Sequence, residues 1–270
     1  MKNALLCLAV LLLVPLAATA QQAPSYRVLL PVFFEEPVPG AFGSQWKTLM
    51  AIHNPTTQEF HINWCNEEVC SRVLVPNAQL MPGETQTTLP EFTDEALNGV
   101  GGPRLLHIGP LGAGSLPPSQ LSFALRALDV SRLETNAGTE VPVVRQEQFR
   151  TATTNLLNVP VDPNFRLTLR IYETKLQRAD FRVRVFDQLS NFPLGNKVLS
   201  LSYRFEPSDT EMYEPPYVQI GDMYDLVLSI VNLPPRLRVQ IEPLTPGSEF
   251  WAFVSITNNE TQHLTLVTPQ

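Results

Sequence analysis

Phe149-Arg150-Thr151, followed by Asn158-Val159-Pro160, repeats Trp46-Lys47-Thr48 followed by Asn54-Pro55. Each run reads as an aromatic, a base and a threonine, then an extended stretch, then a polar turn. Two further pieces return in the same order. Pro103-Arg104-Leu105 through Ile108 to Pro110 comes back as Pro235-Arg236-Leu237 through Ile241 to Pro243. Phe123-Ala124 with Glu134-Thr135 comes back as Phe250-Trp251-Ala252 with Glu260-Thr261. The pattern reads as one unit of roughly 120 residues written twice, a period far longer than that of solenoid repeats.

A chain of 270 residues has room for two domains of about 100–150 residues each. The first twenty residues read as a signal peptide. Met1-Lys2-Asn3 supplies a basic start, Ala4 to Leu16 an apolar run, and Ala18-Thr19-Ala20 the small residues of a cleavage site. The run falls short of the roughly 20 residues a bilayer span needs, and no later stretch qualifies. A retained anchor is the alternative; cleavage would leave no transmembrane anchor. Cys7 lies inside the apolar run without a lipobox. The expected division is therefore 1–20 signal peptide, 21–145 first unit and 146–270 second unit.

Losing residues 1–20 removes one lysine and no acid, which takes the net charge from −7 to −8. That balance argues against nucleic-acid or anionic-membrane binding, since both need clustered Lys and Arg. Proline, at 25 residues, has about twice its usual share of roughly 5%. Such density disfavours long helices and favours short extended segments with abrupt turns.

Tyr26 to Phe34 and Gln45 to His53 read as strands, the second stopped by Asn54-Pro55. Glu59 to Val75 reads as a hairpin closed by a Cys65–Cys70 disulfide, the expected state of so close a pair outside the cytosol. Zinc would want more ligands than this neighbourhood offers. With Cys65 facing Cys70, Trp64 faces Ser71, Ile62 faces Val73 and Phe60 faces Val75, so the apolar residues share one face. Thr93 to Gly99 carries helix start and stop signals, with Gly221 to Leu228 as its counterpart. Arg166 to Ile171 and Phe181 to Val185 alternate strictly, the mark of antiparallel sheet wetted on one face.

The expected fold is all-β: two tandem antiparallel β-sandwich, immunoglobulin-like domains related by internal duplication, with one short helix each. A single larger sandwich is the alternative. The run from Phe149-Arg150-Thr151 to Pro160, and the ending Trp251-Ala252-Phe253-Val254-Ser255-Ile256-Thr257-Asn258-Asn259-Glu260-Thr261, resemble uncharacterised secreted bacterial proteins with tandem immunoglobulin-like repeats. Thr257-Asn258 stands where those have an Asp-Asn pair. The resemblance implies export and repeated sandwiches, and brings no activity and no catalytic residues.

A Gly-x-Ser-x-Gly elbow and a phosphate-cradling loop are both absent from the sequence. His53, His61, His107 and His263 are scattered, and a His53–His61 metal site would lack a third ligand. Glu206, Asp209, Glu211 and Glu214 form an acidic loop without the regular calcium spacing. No cofactor or metal is implied. The sharpest candidate is an arginine face. Arg166, Arg170, Arg182 and Arg184 are expected on the outer side of two neighbouring strands, with Arg170 opposite Arg182, a patch for an anion or acidic glycan. Tyr213 and Tyr217, around Pro215-Pro216, are candidates for an exposed aromatic contact. Trp46, Trp64 and Trp251 are expected in the core.

Three readings follow: a non-catalytic exterior interaction or structural module with an unidentified protein or glycan partner, an anionic-glycan binder, and a hydrolase with dispersed carboxylates. N-terminal sequencing of exported protein should begin at Gln21, and its non-reduced mass should lie two hydrogens below that of the dithiol.

Overall fold

Alternating side chains put apolar residues on one face of a strand, and a sheet so patterned must bury that face against another layer. The structure, a computed structural model, describes residues 26–63, 78–87, 102–110, 118–132, 137–202, 215, 217–227 and 233–270. It is predominantly β, and every strand ladder among the described residues is antiparallel.

The first half contributes β1 (Tyr26–Phe33), β2 (Val38–Pro39), β3 (Gln45–His53), β4 (Phe60–Asn63), β5 (Ala78–Leu80), β6 (Thr85–Gln86), β7 (Gly102–Pro110), β8 (Ser122–Asp129), β9 (Thr139–Glu140) and β10 (Val144–Arg145). One sheet runs β10-β1-β7-β4-β5. The other runs β2-β3-β8-β9, with β6 also on β3. Leu30, Ile62 and Leu106 from the first meet Ile52 and Leu125 from the second in one buried cluster.

The second half contributes β11 (Thr154–Pro160), β12 (Phe165–Glu173), β13 (Ala179–Asp187), β14 (Pro193–Leu201), β15 (Tyr217–Ile220), β16 (Arg236–Pro243), β17 (Phe250–Asn258) and β18 (Leu264–Val267). Its sheets run β11-β16-β13-β14 and β15-β12-β17-β18. Leu169 and Val254 from one sheet pack with Val183 and Val239 from the other. Leu167, Leu169, Ile171, Phe181, Val183 and Val185 are all buried, as their alternation requires.

Without the short β2 and β10, the strands of the two halves follow one order. Counted from one to eight, each half has a sheet 1-6-3-4 and a sheet 5-2-7-8. Phe60 faces Leu80 and Pro110; in the second half Phe181 faces Leu199 and Pro243. This order is not that of an immunoglobulin constant domain, in which the first strand pairs with the second. Here the first strand lies beside the sixth.

The echo in the sequence falls on counterpart strands for two of its three pieces, β7 with β16 and β8 with β17. The opening piece does not. Trp46-Lys47-Thr48 lies in β3, whose counterpart is β12, whereas Phe149-Arg150-Thr151 precedes β11, the counterpart of β1. Phe165 stands where Trp46 does: each faces the residue that ends its partner strand, Asn258 or Asp129. An aromatic, a base and a threonine suit many strand entries, so that likeness reflects local chemistry rather than position.

The hairpin register also differs from expectation. Phe60 faces Leu80 and Ile62 faces Ala78, not Val75 and Val73. The buried Asn54 side chain explains the choice, because its amide donates to both Gln58 O (2.6 Å) and Leu80 O (3.1 Å) and ties β5 beside β4. Trp64, Cys65, Cys70 and the Thr93–Gly99 segment lie outside the described residues. The counterpart segment holds a single 3-10 turn, Met223–Leu226.

A third cluster joins the halves. Leu29, Leu105 and Val144 on the outer face of the first sheet pack with Phe149, Tyr172, Trp251 and Phe253. The Tyr172 hydroxyl donates to Pro31 O at 2.7 Å. Arg27 donates to Thr174 O and pairs with Glu249, both at 2.7 Å.

His107, buried on β7 opposite Arg27, has its pKa lowered to about 4, first by burial and then by the Arg27 charge. The unfolded chain binds the proton more readily, so this contribution is complete above about pH 6.5 and is lost as the pH falls towards 4. Denaturant midpoints should register a loss on the order of 3 kcal/mol over that window, and His107→Gln should flatten the profile.

Candidate functional site

β12 has two working faces. Leu167, Leu169 and Ile171 enter the second-half core, while Arg166, Thr168, Arg170 and Tyr172 project from the opposite face. On the paired strand β17, Thr257 faces Arg166, Ser255 faces Thr168, Phe253 faces Arg170 and Trp251 faces Tyr172. The outer face is therefore aromatic at one end and polar and cationic at the other. The aromatic end docks on the first half. Beside the polar end lies a cavity of about 410 Å³, whose opposite wall includes Val32, Phe34, Val38 and Trp46 from the first half.

Arg170 is held by neutral partners. Its Nε donates to Gln219 Oε1 and its Nη1 to Ser255 Oγ, both at 3.0 Å, and the guanidinium lies 5.5 Å from the Phe253 ring centroid. Arg166 donates from Nη2 to Gln262 Oε1 at 2.8 Å and lies 5.0 Å from the Phe42 ring centroid. Its Nη1 is buried without a hydrogen-bond partner. Burial lowers the Arg166 pKa. Among the described residues no carboxylate pairs with either arginine. A desolvated cation with an unsatisfied donor is a costly arrangement, relieved by an anion.

The turn after β17 aims Gln262. Asn258 Oδ1 accepts the backbone N–H groups of Glu260 and Thr261, both at 2.9 Å. Gln262, fully buried at φ 56°, donates to Asn259 O at 2.7 Å and presents its carbonyl to Arg166. From the first half, Phe42, whose ring meets Arg166, also adopts a left-handed φ of 56° and is 63% exposed. Arg132 clamps that loop across the halves, donating to Phe42 O (3.2 Å) and to Glu260 O (2.6 Å).

The four sequence-predicted arginines do not share a face. Arg166 and Arg170 line the cleft, whereas Arg182 and Arg184 belong to β13 in the other sheet. Arg182 faces Val198 and Glu242, not Arg170. Both β13 arginines bind Glu242 at 3.1 Å, and Arg184 also reaches Gln240. The connection from β12 to β13 crosses between sheets, and strand alternation carries no information about that crossing. Tyr217 is half-buried and stacks on Tyr172 at 5.9 Å, so it serves the docking cluster rather than an exposed contact. Tyr213 and the acidic loop residues Glu206, Asp209, Glu211 and Glu214 lie outside the described residues. Trp251 is buried between the halves, and Trp46 is half-buried on the cleft wall.

His53 bonds Glu84 O and Thr85 Oγ1, and His61 lies 3.9 Å from Glu59. Among the described residues no three His, Cys, Asp or Glu side chains gather as a metal site, and no helix is long and apolar enough to cross a membrane. Sequence reasoning assigned to no site Trp46, Gln219, Phe253, Ser255 and Thr257, which line the cleft, nor Gln262 and Phe42, which hold Arg166 from beside it. The chain matches no protein-family model, no curated protein and no solved structure.

Gly40 sets the cleft wall, because a Cβ there would lie 2.5 Å from Trp46 Nε1 and 2.3 Å from Ser44 Oγ. Gly40→Ala should cost about 1–3 kcal/mol through overpacking and change the fluorescence emission that Trp46 contributes; unchanged stability and emission would contradict this packing.

Proposed function

We propose that the protein is an exported, non-catalytic binding module, built from two duplicated β-sandwich units, that takes an anionic ligand in the cleft between them. The identical strand order of the two halves, with matching register around Phe60 and Phe181, supports duplication. So does the shared ending of the seventh strand: Asp129 Oδ1 accepts the Ser131 N–H as Asn258 Oδ1 accepts that of Glu260. The central pairings, third strand beside sixth and second beside fifth, are shared with immunoglobulin domains, while the first, fourth and seventh strands take other neighbours. The apolar start of the chain supports export to the cell exterior or periplasm.

One observation carries the binding reading. Arg166 and Arg170 face the cavity with no carboxylate among the described residues to neutralise them, and Arg166 Nη1 is left unpaired. In a protein of net charge −7 acids are plentiful, so their omission here marks a place for charge from outside. Arginine presents a planar fork suited to carboxylate, sulfate or phosphate. The interaction-module reading without this ligand would leave the pair with no counter-charge.

A ligand that binds only the folded state raises stability by about 2.7 kcal/mol at a hundredfold excess over Kd. In low salt, an anion panel should raise the melting temperature of the wild type and not that of the Arg166→Gln/Arg170→Gln variant. Equal shifts in both proteins would refute the assignment.

A further inference from the structure

We infer that the ligand of this cleft is an acidic oligosaccharide segment carrying two anionic groups, one for each of Arg166 and Arg170. The inference rests on the anion-binding reading above and narrows it to a ligand class.

The two arginines stand four residues apart on one strand, about 13 Å between Cα atoms at the usual rise. Each is anchored to different neighbours: Arg166 to Gln262 and Phe42, Arg170 to Gln219, Ser255 and Phe253. Thr168 lies between them. A compact inorganic anion would engage one fork bidentately and leave the other unsatisfied. Two anionic groups on one extended molecule satisfy both without breaking either anchor.

The floor of the cleft favours sugar over peptide. β17 is hydrogen-bonded on both sides along Val254–Thr257, and so is β12 along Leu169–Tyr172. Extended peptides are commonly read by adding a strand to a free sheet edge, and those segments offer side chains instead. Thr168, Ser255 and Thr257 bring hydroxyls, which both donate and accept, and Gln219 brings an amide. Existing bonds from Thr168 Oγ1 to Gly221 O (3.3 Å) and from Ser255 Oγ to Thr168 O (3.4 Å) are long and easily exchanged for ligand hydroxyls. Across the cleft, Trp46, Phe34 and Val38 provide an apolar wall for the C–H face of a sugar ring. At about 410 Å³ the cavity lies within the range of about 300–1,000 Å³ typical of small-molecule sites, which suits a short segment or chain end.

Calorimetric titration of the exported protein in low salt tests this with six probes: 1,4-linked oligouronates, heparin-derived oligosaccharides, a neutral oligosaccharide of equal length, inorganic phosphate, inorganic sulfate and poly-glutamate. At least one acidic oligosaccharide should bind saturably and the neutral one should not. Arg166→Gln and Arg170→Gln should each weaken binding by about tenfold or more, the effect of losing one charged hydrogen bond, with Arg182→Gln unchanged. Arg166→Lys keeps the charge without the fork and should recover only part of the affinity; it also serves if Arg166→Gln fails to fold. Equal affinity for phosphate, sulfate or poly-glutamate through the same arginines would overturn the saccharide inference and leave the anion cleft standing. Binding of none of the charged probes would overturn both.

Discussion

Tyr172 is the point on which the two halves turn. It lies on β12 with its ring facing away from its own core, yet it is fully buried. Trp251, Phe253 and Tyr217 stack around it, with centroids 6.4, 6.2 and 5.9 Å away. Burial raises its pKa, so the hydroxyl stays protonated and available as the donor to Pro31 O. Its neighbours supply apolar area and its hydroxyl supplies direction, the combination that makes tyrosine effective where two surfaces meet. Every feature of the cleft depends on this contact, because one wall belongs to each half.

The polar bonds around the cluster set the orientation. The Arg27 guanidinium bridges Thr174 O and Glu249 and lies 5.5 Å from the Phe149 ring centroid, so one side chain touches both halves and the segment joining them. Thr139 Oγ1 donates to Leu264 O at 2.7 Å, and Leu264 and Leu266 of β18 pack against the first-half core. Buried polar groups with fixed partners penalise sliding more than an apolar contact does. Docking on the outer face of β12 therefore consumes its aromatic end and leaves the arginine end beside a cavity.

Much of the fold is legible in the sequence, for a physical reason. Strand position follows from side-chain period and turn chemistry, both local. Gln45–His53 emerges with the bounds its pattern implies, and Asn54 stops it with its own side chain. Pairing is not local. The β4 register depends on an Asn54 amide bond to Leu80, twenty-six residues away, and the separation of Arg166 and Arg170 from Arg182 and Arg184 depends on which sheet a strand joins. Half the candidate site was thus visible as residues and none of it as a place. One signal was available. Phe250 to Ile256 runs almost wholly apolar instead of alternating, and β17 is buried on both faces from Phe250 to Thr257. A strand covered twice inside a two-sheet unit implies something packed outside it.

The segment joining the halves is short, and it is engaged as far as Arg150. β10 pairs with β1, the turn Gln146–Gln148 follows, Phe149 enters the docking cluster, and Arg150 exchanges both backbone hydrogen bonds with Phe250. Gln148 Oε1 accepts the Arg145 N–H at 2.8 Å, and Arg145 in turn donates to Leu121 O. From Arg145 to Arg150 such a joint leaves little slack. On the anion-binding proposal, association in a cleft whose walls this joint already holds in place need not wait for a closing motion or forfeit the entropy of one.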